Sequence, residues 1–162
     1  MRIGPAIFGL LVLDNITWSG NWAWGLPLIV LTVVIHVMGL GLIRQRVIRI
    51  SDRSIERRHP TVVFVMIMGA VTLAATCLHA FEAGIWAGAY RVLGALPDSK
   101  SAMLYSLNAI TSYGHTNLLL QDHWQLMGAL EALNGWLLFG LTTAFLFGML
   151  EKLRGLEASA HR

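Results

Sequence analysis

Three long apolar runs restrict this chain of 162 residues to a small set of folds. The runs are Leu26–Ile43, Thr61 to about Ala83, and Gln125–Leu150, and each approaches or exceeds the roughly 20 residues that a helix needs to cross a bilayer. The composition agrees, because 56% of the residues are hydrophobic and only 13% are charged. We therefore predict an all-α membrane protein with three transmembrane helices rather than a water-soluble domain.

A polar segment separates the second apolar run from the third. It opens with a turn at Pro97–Ser99, where Asp98 or Ser99 is a suitable N-cap, and continues as a short helix from Ser101 to about Ile110. Residues 111–117 then form a polar, glycine-containing and strand-like stretch. Such a backbone is not tolerated against lipid, but it is tolerated where protein buries it or where it lines a wet cavity. A short helix followed by an extended polar segment between two spans is the arrangement of a re-entrant pore loop.

Basic residues predict the orientation in the membrane. Six of the twelve Lys and Arg residues lie between the first two apolar runs: Arg44, Arg46, Arg49, Arg53, Arg57 and Arg58. An excess of basic residues in a short loop is typical of the cytoplasmic side. The run suits a membrane face better than nucleic acid, because no aromatic or glycine residues are interleaved with it. We therefore expect the N-terminus outside and the C-terminus inside.

The polar segment resembles the selectivity filter of a known family. Residues 111–117, Thr-Ser-Tyr-Gly-His-Thr-Asn, are similar to the Thr-Thr-Val-Gly-Tyr-Gly-Asp signature of potassium channels. The flanks agree at residues 104–107 (Leu-Tyr-Ser-Leu), 130–135 (Leu-Glu-Ala-Leu-Asn-Gly) and 79–82 (His-Ala-Phe-Glu). Over about residues 26–150 the chain resembles small bacterial proteins of the two-transmembrane potassium-channel superfamily that carry one extra N-terminal helix.

This resemblance implies a homotetrameric pore in the bacterial inner membrane, with a re-entrant pore helix and filter loop in each chain. The implied ion pathway consists of Thr111, Ser112, Tyr113, Gly114, His115 and Thr116. The residues implied to support the filter are Asn117, Glu131 and Asn134, and those implied to line the pore from the last helix are Thr142 and Thr143. The expected partners are the lipid bilayer and further copies of the chain, without nucleic acid. No cofactor is expected beyond permeant K⁺ or Na⁺.

The expected organisation has five parts. They are an outer interfacial segment (1–25), a peripheral transmembrane helix (26–43), a cytoplasmic basic loop (44–60), a channel-like pore domain (61–150) and a cytoplasmic tail (151–162). Met1–Leu13 is too short to span. It is either a signal peptide without a clear cleavage motif or, as we favour, a short helix on the outer surface. Trp18, Trp22 and Trp24 would anchor the outer segment at the headgroups.

The filter departs from the family pattern at its outer half. Thr116 replaces the second glycine and His115 replaces the usual tyrosine. A β-branched residue at positive φ costs about 1–3 kcal/mol per chain, so we expect the outer half to be reshaped. The inner half, Thr111–Gly114, still offers oxygens to a cation. We therefore predict passage of monovalent cations with weak or altered selectivity. The alternative is a non-conducting channel homologue that acts as a membrane scaffold or subunit.

Two residues of this region have alternative roles. His115 either faces the lumen, where its protonation would repel cations at mildly acidic pH, or lies behind the filter and hydrogen-bonds the pore helix. Gly135 belongs to a series of small residues on the last helix, in which Gly128, Ala132 and Gly135 follow each other at intervals of four and three residues. This spacing indicates close helix packing, and the family resemblance adds a gating hinge at Gly135.

Polar residues in the spans suggest a second class of function, a haem or metal carrier. With the inner ends of the helices at Arg44 and Thr61, a rise of 1.5 Å per residue places His36 about 12 Å and His79 about 27 Å from those ends. We therefore expect an axial separation of about 15 Å, too large for one haem iron. Glu82 is expected to pair with His79 or with Arg91, and the pair with Arg91 would need a fold-back or another chain.

Other chemistry finds little support in the sequence. A surface metal site from His115 and His123 is not supported by their spacing. The sequence contains no Ser-His-Asp arrangement, phosphate-binding loop, HExxH or CxxC motif. We therefore do not expect an enzyme.

Overall fold

The computed structural model describes residues 5–54, 60–114 and 118–160. Within these ranges it has four α-helices: α1 (Pro5–Ser54), α2 (Pro60–Val92), α3 (Ser99–Ile110) and α4 (Gln125–Ala160). A 3₁₀ turn at Asp122–Trp124 precedes α4, and no strand occurs in the described ranges.

Three helices contain segments that are long and apolar enough to cross a membrane. These segments are Trp18–Arg49, Thr61–Val92 and Asp122–Lys152. Each has just over 30 residues, which at 1.5 Å per residue exceeds the hydrocarbon thickness of about 30 Å. The prediction of an all-α membrane protein with three spans is confirmed at this level.

Helix α1 is longer at both ends than the sequence pattern indicated. It runs without a break from Pro5 to Ser54, through the region assigned to a separate surface helix and through most of the basic segment. Pro27 lies inside α1 and not in its first turn. The helix continues past Arg44 because residues 44–54 contain neither glycine nor proline. The side chains of Arg53, Arg57 and Arg58 lie outside the described part of the chain.

Contacts within the chain define two units. The loop unit consists of Met1–Thr32 and Ala83–Trp136, and it contains α3 and the polar loop. The histidine unit consists of Val33–Glu82 and Leu137–Arg162.

The loop unit has an aromatic core. Trp86, Tyr90 and Met127 are fully buried there, and the rings of Tyr90 and Tyr105 meet edge to face with centroids 5.3 Å apart. Helix α2 gives way to a turn at Gly94, whose φ of 66° suits the left-handed position after a helix. Asp98 is the N-cap of α3, and its carboxylate accepts a hydrogen bond from the Ser101 backbone N–H at 2.9 Å. The predicted short helix is confirmed, with its start at Ser99 instead of Ser101, and Asp98 is the cap of the two candidates, Asp98 and Ser99.

The histidine unit is built on an antiparallel hairpin of α1 and α2. Gly39 of α1 is so close to Leu78 of α2 that a Cβ would overlap the leucine side chain. Farther along the hairpin, Val47 packs with Val71 and with Met149 of α4 in a second apolar cluster. The two helices are therefore in close contact at both of these levels.

Candidate functional site

Helix α3 is fixed in the loop unit by a buried carboxylate. The Tyr90 hydroxyl donates a hydrogen bond to Oε2 of Glu131 at 2.6 Å. The Ser106 hydroxyl contacts Oε1 of Glu131 and donates to the Ala83 carbonyl oxygen at 2.7 Å. Glu131, Ser106 and Tyr90 are all fully buried. A single carboxyl group on α4 thus connects the middle of α3 to α2.

Two glycines on α4 let α3 approach closely. A Cβ at Gly128 would overlap the Tyr105 hydroxyl, and a Cβ at Gly135 would overlap the Ile110 carbonyl oxygen. Tyr105 therefore lies against α4 at Gly128, and Ile110, the last residue of α3, lies two turns farther along α4 at Gly135. This placement gives Gly135 a packing role, while the gating hinge stays a prediction.

The described inner half of the loop leaves α3 through two left-handed residues. The Thr111 hydroxyl donates to the Leu107 carbonyl oxygen at 2.6 Å and continues the helical pattern. Ser112 has a φ of 54° and Gly114 a φ of 92°. A left-handed conformation costs a non-glycine residue such as Ser112 roughly 1–2 kcal/mol. Thr111–Gly114 is exposed in the single chain.

The structure does not describe residues 115–117, the outer half of the loop. His115, Thr116 and Asn117, with their predicted roles in the ion pathway and in filter support, lie outside the described residues. The expected reshaping of the outer filter and both roles of His115 therefore stay predictions.

After the loop, the chain returns to the level where α3 began. Leu120 is buried in the aromatic core. The Gln121 backbone N–H donates to the carbonyl oxygen of Ala95, three residues before the N-cap of α3, at 3.4 Å. Asn21 of α1 fixes the next turn, because its amide donates to the His123 carbonyl at 2.6 Å and its carbonyl accepts from the Met127 N–H at 3.0 Å.

Asn134 is part of a second buried polar contact one turn from Glu131. Its side-chain amide donates to the Thr32 hydroxyl oxygen at 2.8 Å, and both side chains are fully buried. The Thr32 hydroxyl in turn donates within α1, to the Leu28 carbonyl at 2.8 Å. Asn134 therefore joins α4 to α1 in the described structure, and its role as filter support stays a prediction.

A second group of polar side chains lies in the histidine unit. Nδ1 of His36 is 2.9 Å from Oε1 of Glu82, and Nδ1 of His79 is 3.6 Å from Oε2. On the other side of both rings, Oγ1 of Thr142 is 2.9 Å from Nε2 of His36 and 3.0 Å from Nε2 of His79. We call these four residues the histidine cluster. His36 and Glu82 are fully buried, and the His79 side chain is 27% exposed.

The expected separation of His36 and His79 is wrong. Their ring centroids are 4.9 Å apart. The error came from ending the first helix at Arg44, whereas α1 continues to Ser54 and α2 begins at Pro60. His36 is 18 residues before the end of α1 and His79 is 19 residues after the start of α2, so each lies about 27–29 Å from that end of its helix.

The other predicted contacts of this region have mixed outcomes. Of the two partners predicted for Glu82, the structure shows His79. The other candidate, Arg91, donates through its guanidinium to the Leu96 carbonyl oxygen at 2.7 Å. Thr142, a predicted pore-lining residue, is buried in the histidine cluster. The Thr143 side chain is exposed and donates to the Phe139 carbonyl oxygen at 2.9 Å.

Sequence reasoning missed several partners of these sites. Tyr90 and Ser106 of the Glu131 contact, Thr32 beside Asn134, and Thr142 between the histidines were not assigned these roles. For Thr32 and Thr142, a hydroxyl within an apolar run was the available signal, because a polar group in a membrane needs a partner inside the protein.

In comparisons with known proteins, no family model, curated protein or solved structure matches this chain.

Proposed function

We propose that four copies of this chain form a pore for monovalent cations of weak or altered selectivity, lined by the loop that follows α3. One observation carries the proposal. The segment that contains α3 and the loop begins and ends at the same place, because the Gln121 N–H after the loop donates to the Ala95 carbonyl oxygen before α3. The C-terminal tip of α3, at Ile110, lies instead beside Gly135 of α4.

The depth of the tip follows from helix geometry. Ile110 is beside Gly135, and Gly135 is 13 residues beyond Asp122, where the third candidate span begins. At 1.5 Å per residue this is about 20 Å, roughly half-way through a bilayer with its headgroups. The ten residues from Thr111 to Leu120 reach at most about 36 Å, enough to return. The segment therefore enters the membrane and leaves on the side from which it came.

An exposed polar loop at that depth needs cover. Thr111–Gly114 is exposed in the single chain. Unpaired backbone groups are not stable against lipid, but they are stable in protein or along a wet cavity. Four loops around a common axis supply both conditions, and backbone carbonyls arranged in this way replace the water shell of a cation. The positive φ angles of Ser112 and Gly114, two residues apart, support a backbone that turns successive carbonyls to one side.

Ion flux through purified protein in liposomes tests the proposal. We expect the wild type to carry K⁺ and Na⁺ at similar rates. We also expect native mass spectrometry to give the mass of a tetramer. Gly114→Ala should lose most of the flux, because alanine is strained at a φ of 92°. Gly41→Ala is the matched control, because Gly41 is exposed on α1 and a Cβ there meets nothing within 4 Å.

The outcomes separate the two candidate functions. Equal flux in the two alanine variants would contradict a loop-lined path. A tetramer without flux in any of these cations would favour the alternative, a non-conducting homologue that acts as a scaffold or subunit. A monomer would remove the basis of both.

A further inference from the structure

The histidine cluster presents three metal-binding side chains to one point. His36, His79 and Glu82 can each offer one ligand atom such that all three atoms lie within 4.8 Å of one another. We propose that these residues bind one divalent transition-metal ion, with Zn²⁺ as the best match, and that Thr142 orients the two imidazoles. The inference uses only the histidine unit and does not depend on the proposed pore.

The donor spacing is close to that of a filled site. Zinc bonds to histidine nitrogen and carboxylate oxygen are about 2.0–2.2 Å, which puts neighbouring donors of a tetrahedron roughly 3.3–3.6 Å apart. Nδ1 of His36 is 2.9 Å from Oε1 of Glu82, Nδ1 of His79 is 3.6 Å from Oε2, and one ligand atom from each residue lies within 4.8 Å of the other two. The widest of these separations must therefore shorten by at most roughly 1.5 Å to match a tetrahedral zinc site.

Thr142 explains why both Nδ1 atoms face the carboxylate. Its hydroxyl oxygen has two lone pairs and is within hydrogen-bond distance of Nε2 of both histidines. When both Nε2–H groups donate to it, each neutral ring has its lone pair on Nδ1, toward Glu82. Metal-binding histidines typically donate their second ring N–H to such an outer partner, which fixes the tautomer and the ring orientation.

The carboxylate has an unused oxygen at the same place. Oε2 of Glu82 is buried and makes no hydrogen bond in the described structure. In the tautomer with both protons on Nε2, two nitrogen lone pairs and a carboxylate face each other, and they repel unless a proton or a metal cation lies between them. A metal cation would bind Oε2 and both Nδ1 atoms at once, which a single proton cannot do.

The donor set selects the class of metal. Two imidazoles and one carboxylate are the ligands of many zinc sites and of the two-histidine, one-carboxylate iron sites. Zn²⁺ has no geometric preference from its d-electrons and accepts a site with one oxygen and two nitrogens plus a fourth ligand. Hard ions such as Mg²⁺ and Ca²⁺ prefer all-oxygen sites and fit less well. In the histidine unit the ion would join α1 to α2.

Metal titration of the full chain tests the inference. The protein is purified with a histidine-free tag, treated with a chelator and titrated with ZnCl₂ or CoCl₂. We expect about one ion per chain, visible d–d absorption of four-coordinate Co²⁺, and a melting temperature that rises with Zn²⁺ concentration. These three measurements need no variant. A wild type that retains no Zn²⁺ after removal of free metal, with no Co²⁺ band, would overturn the proposal.

Substitutions assign the ligands. Glu82→Gln and His79→Gln should abolish the Co²⁺ band and weaken binding more than Thr142→Val does, for which we expect a loss of about 10–100-fold. His123→Gln is the matched control, because His123 is exposed in the 3₁₀ turn before α4. Helical circular dichroism and gel filtration confirm that each variant is folded. Binding that survives Glu82→Gln and His79→Gln, or that is lost in His123→Gln, would also overturn the proposal.

Discussion

At the scale of single residues, a few buried polar groups determine where α3 lies. Glu131 is fully buried and receives a hydroxyl contact on each carboxylate oxygen, from Tyr90 and from Ser106. A buried carboxyl group without partners costs several kcal/mol, so these contacts make one position of α3 much more favourable than its neighbours. The family resemblance assigned Glu131 to filter support. Its hydroxyl partners could not be read from the sequence, because Tyr90 and Ser106 lie 41 and 25 residues away along the chain and each has many possible acceptors.

Removal of one hydroxyl should destabilise the loop unit. Tyr90→Phe leaves Oε2 of Glu131 without its hydrogen bond, and we expect a loss of about 1–3 kcal/mol of unfolding free energy. Ser106→Ala should have a similar effect through Oε1. Thermal melting in detergent measures both. Thr76→Val is the control, since its exposed hydroxyl bonds only the Thr72 carbonyl among the contacts described, and it should melt close to the wild type. A Tyr90→Phe variant as stable as this control would contradict the interpretation.

The cap of α3 should respond to pH. Hydrogen bonds from the Ser101 side chain and then its backbone N–H lower the pKa of Asp98 below its ordinary value of 3.8. A lowered folded-state pKa means that the stabilising contribution is present above the pKa of the unfolded chain and is lost as pH falls through the folded-state pKa. Asp98→Asn keeps a capping oxygen but removes the titration. We expect its melting temperature to fall less than that of the wild type between pH 5 and about pH 3. Parallel curves would contradict this role.

At the scale of elements, the sequence predicted local structure better than helix length. The turn at Pro97–Ser99 and the start of α4 at Gln125 were correct, because proline, a capping carboxylate and an apolar pattern act locally. The end of α1 was wrong, because charge marks the membrane surface and does not stop a helix. Because of that single error, His36 was placed 8 and not 18 residues before the end of α1. The histidine cluster was therefore not recognised in the sequence.

The contact between α3 and α4 should not tolerate a methyl group. Gly135→Ala places a Cβ on the Ile110 carbonyl oxygen, so α3 or α4 must move, at a cost of about 1–3 kcal/mol. Gly140→Ala, five residues farther on the same helix, meets nothing within 4 Å and should have little effect or a slightly stabilising one. Thermal melting compares the two. If both variants are equally stable, the close approach at Gly135 is not a constraint.

At the scale of the whole molecule, the orientation predicted for the three candidate spans can be tested. The exposed basic residues Arg44, Arg46 and Arg49 at the end of the first candidate span favour the cytoplasm for that end. The number of candidate spans was readable from the sequence because hydropathy is a sum over many residues. Assembly into a homotetramer stays a prediction, since subunit contacts depend on surfaces that look like lipid-facing ones in a single chain.

Cysteine labelling tests this orientation. The background is Cys77→Ser, which removes the one native cysteine. Lys100→Cys, in the exposed start of α3, should react with a membrane-impermeant thiol reagent in intact cells, because we place that end outside. Gln45→Cys, exposed near the inner end of α1, should react only after permeabilisation. The reverse pattern would invert the predicted topology, and with it the side from which we propose that the loop enters.

The hydrogen bonds at the two ends of the loop have a consequence for engineering. Asp98 caps the start of α3, and the Gln121 N–H donates to the Ala95 carbonyl oxygen after the loop, so neither hydrogen bond uses a side chain of Thr111–Gly114, the described part of the loop. We therefore expect that a segment of equal length can replace residues 111–117 while both hydrogen bonds remain. The chain would then serve as a host in which different loop sequences are compared in a constant structural context.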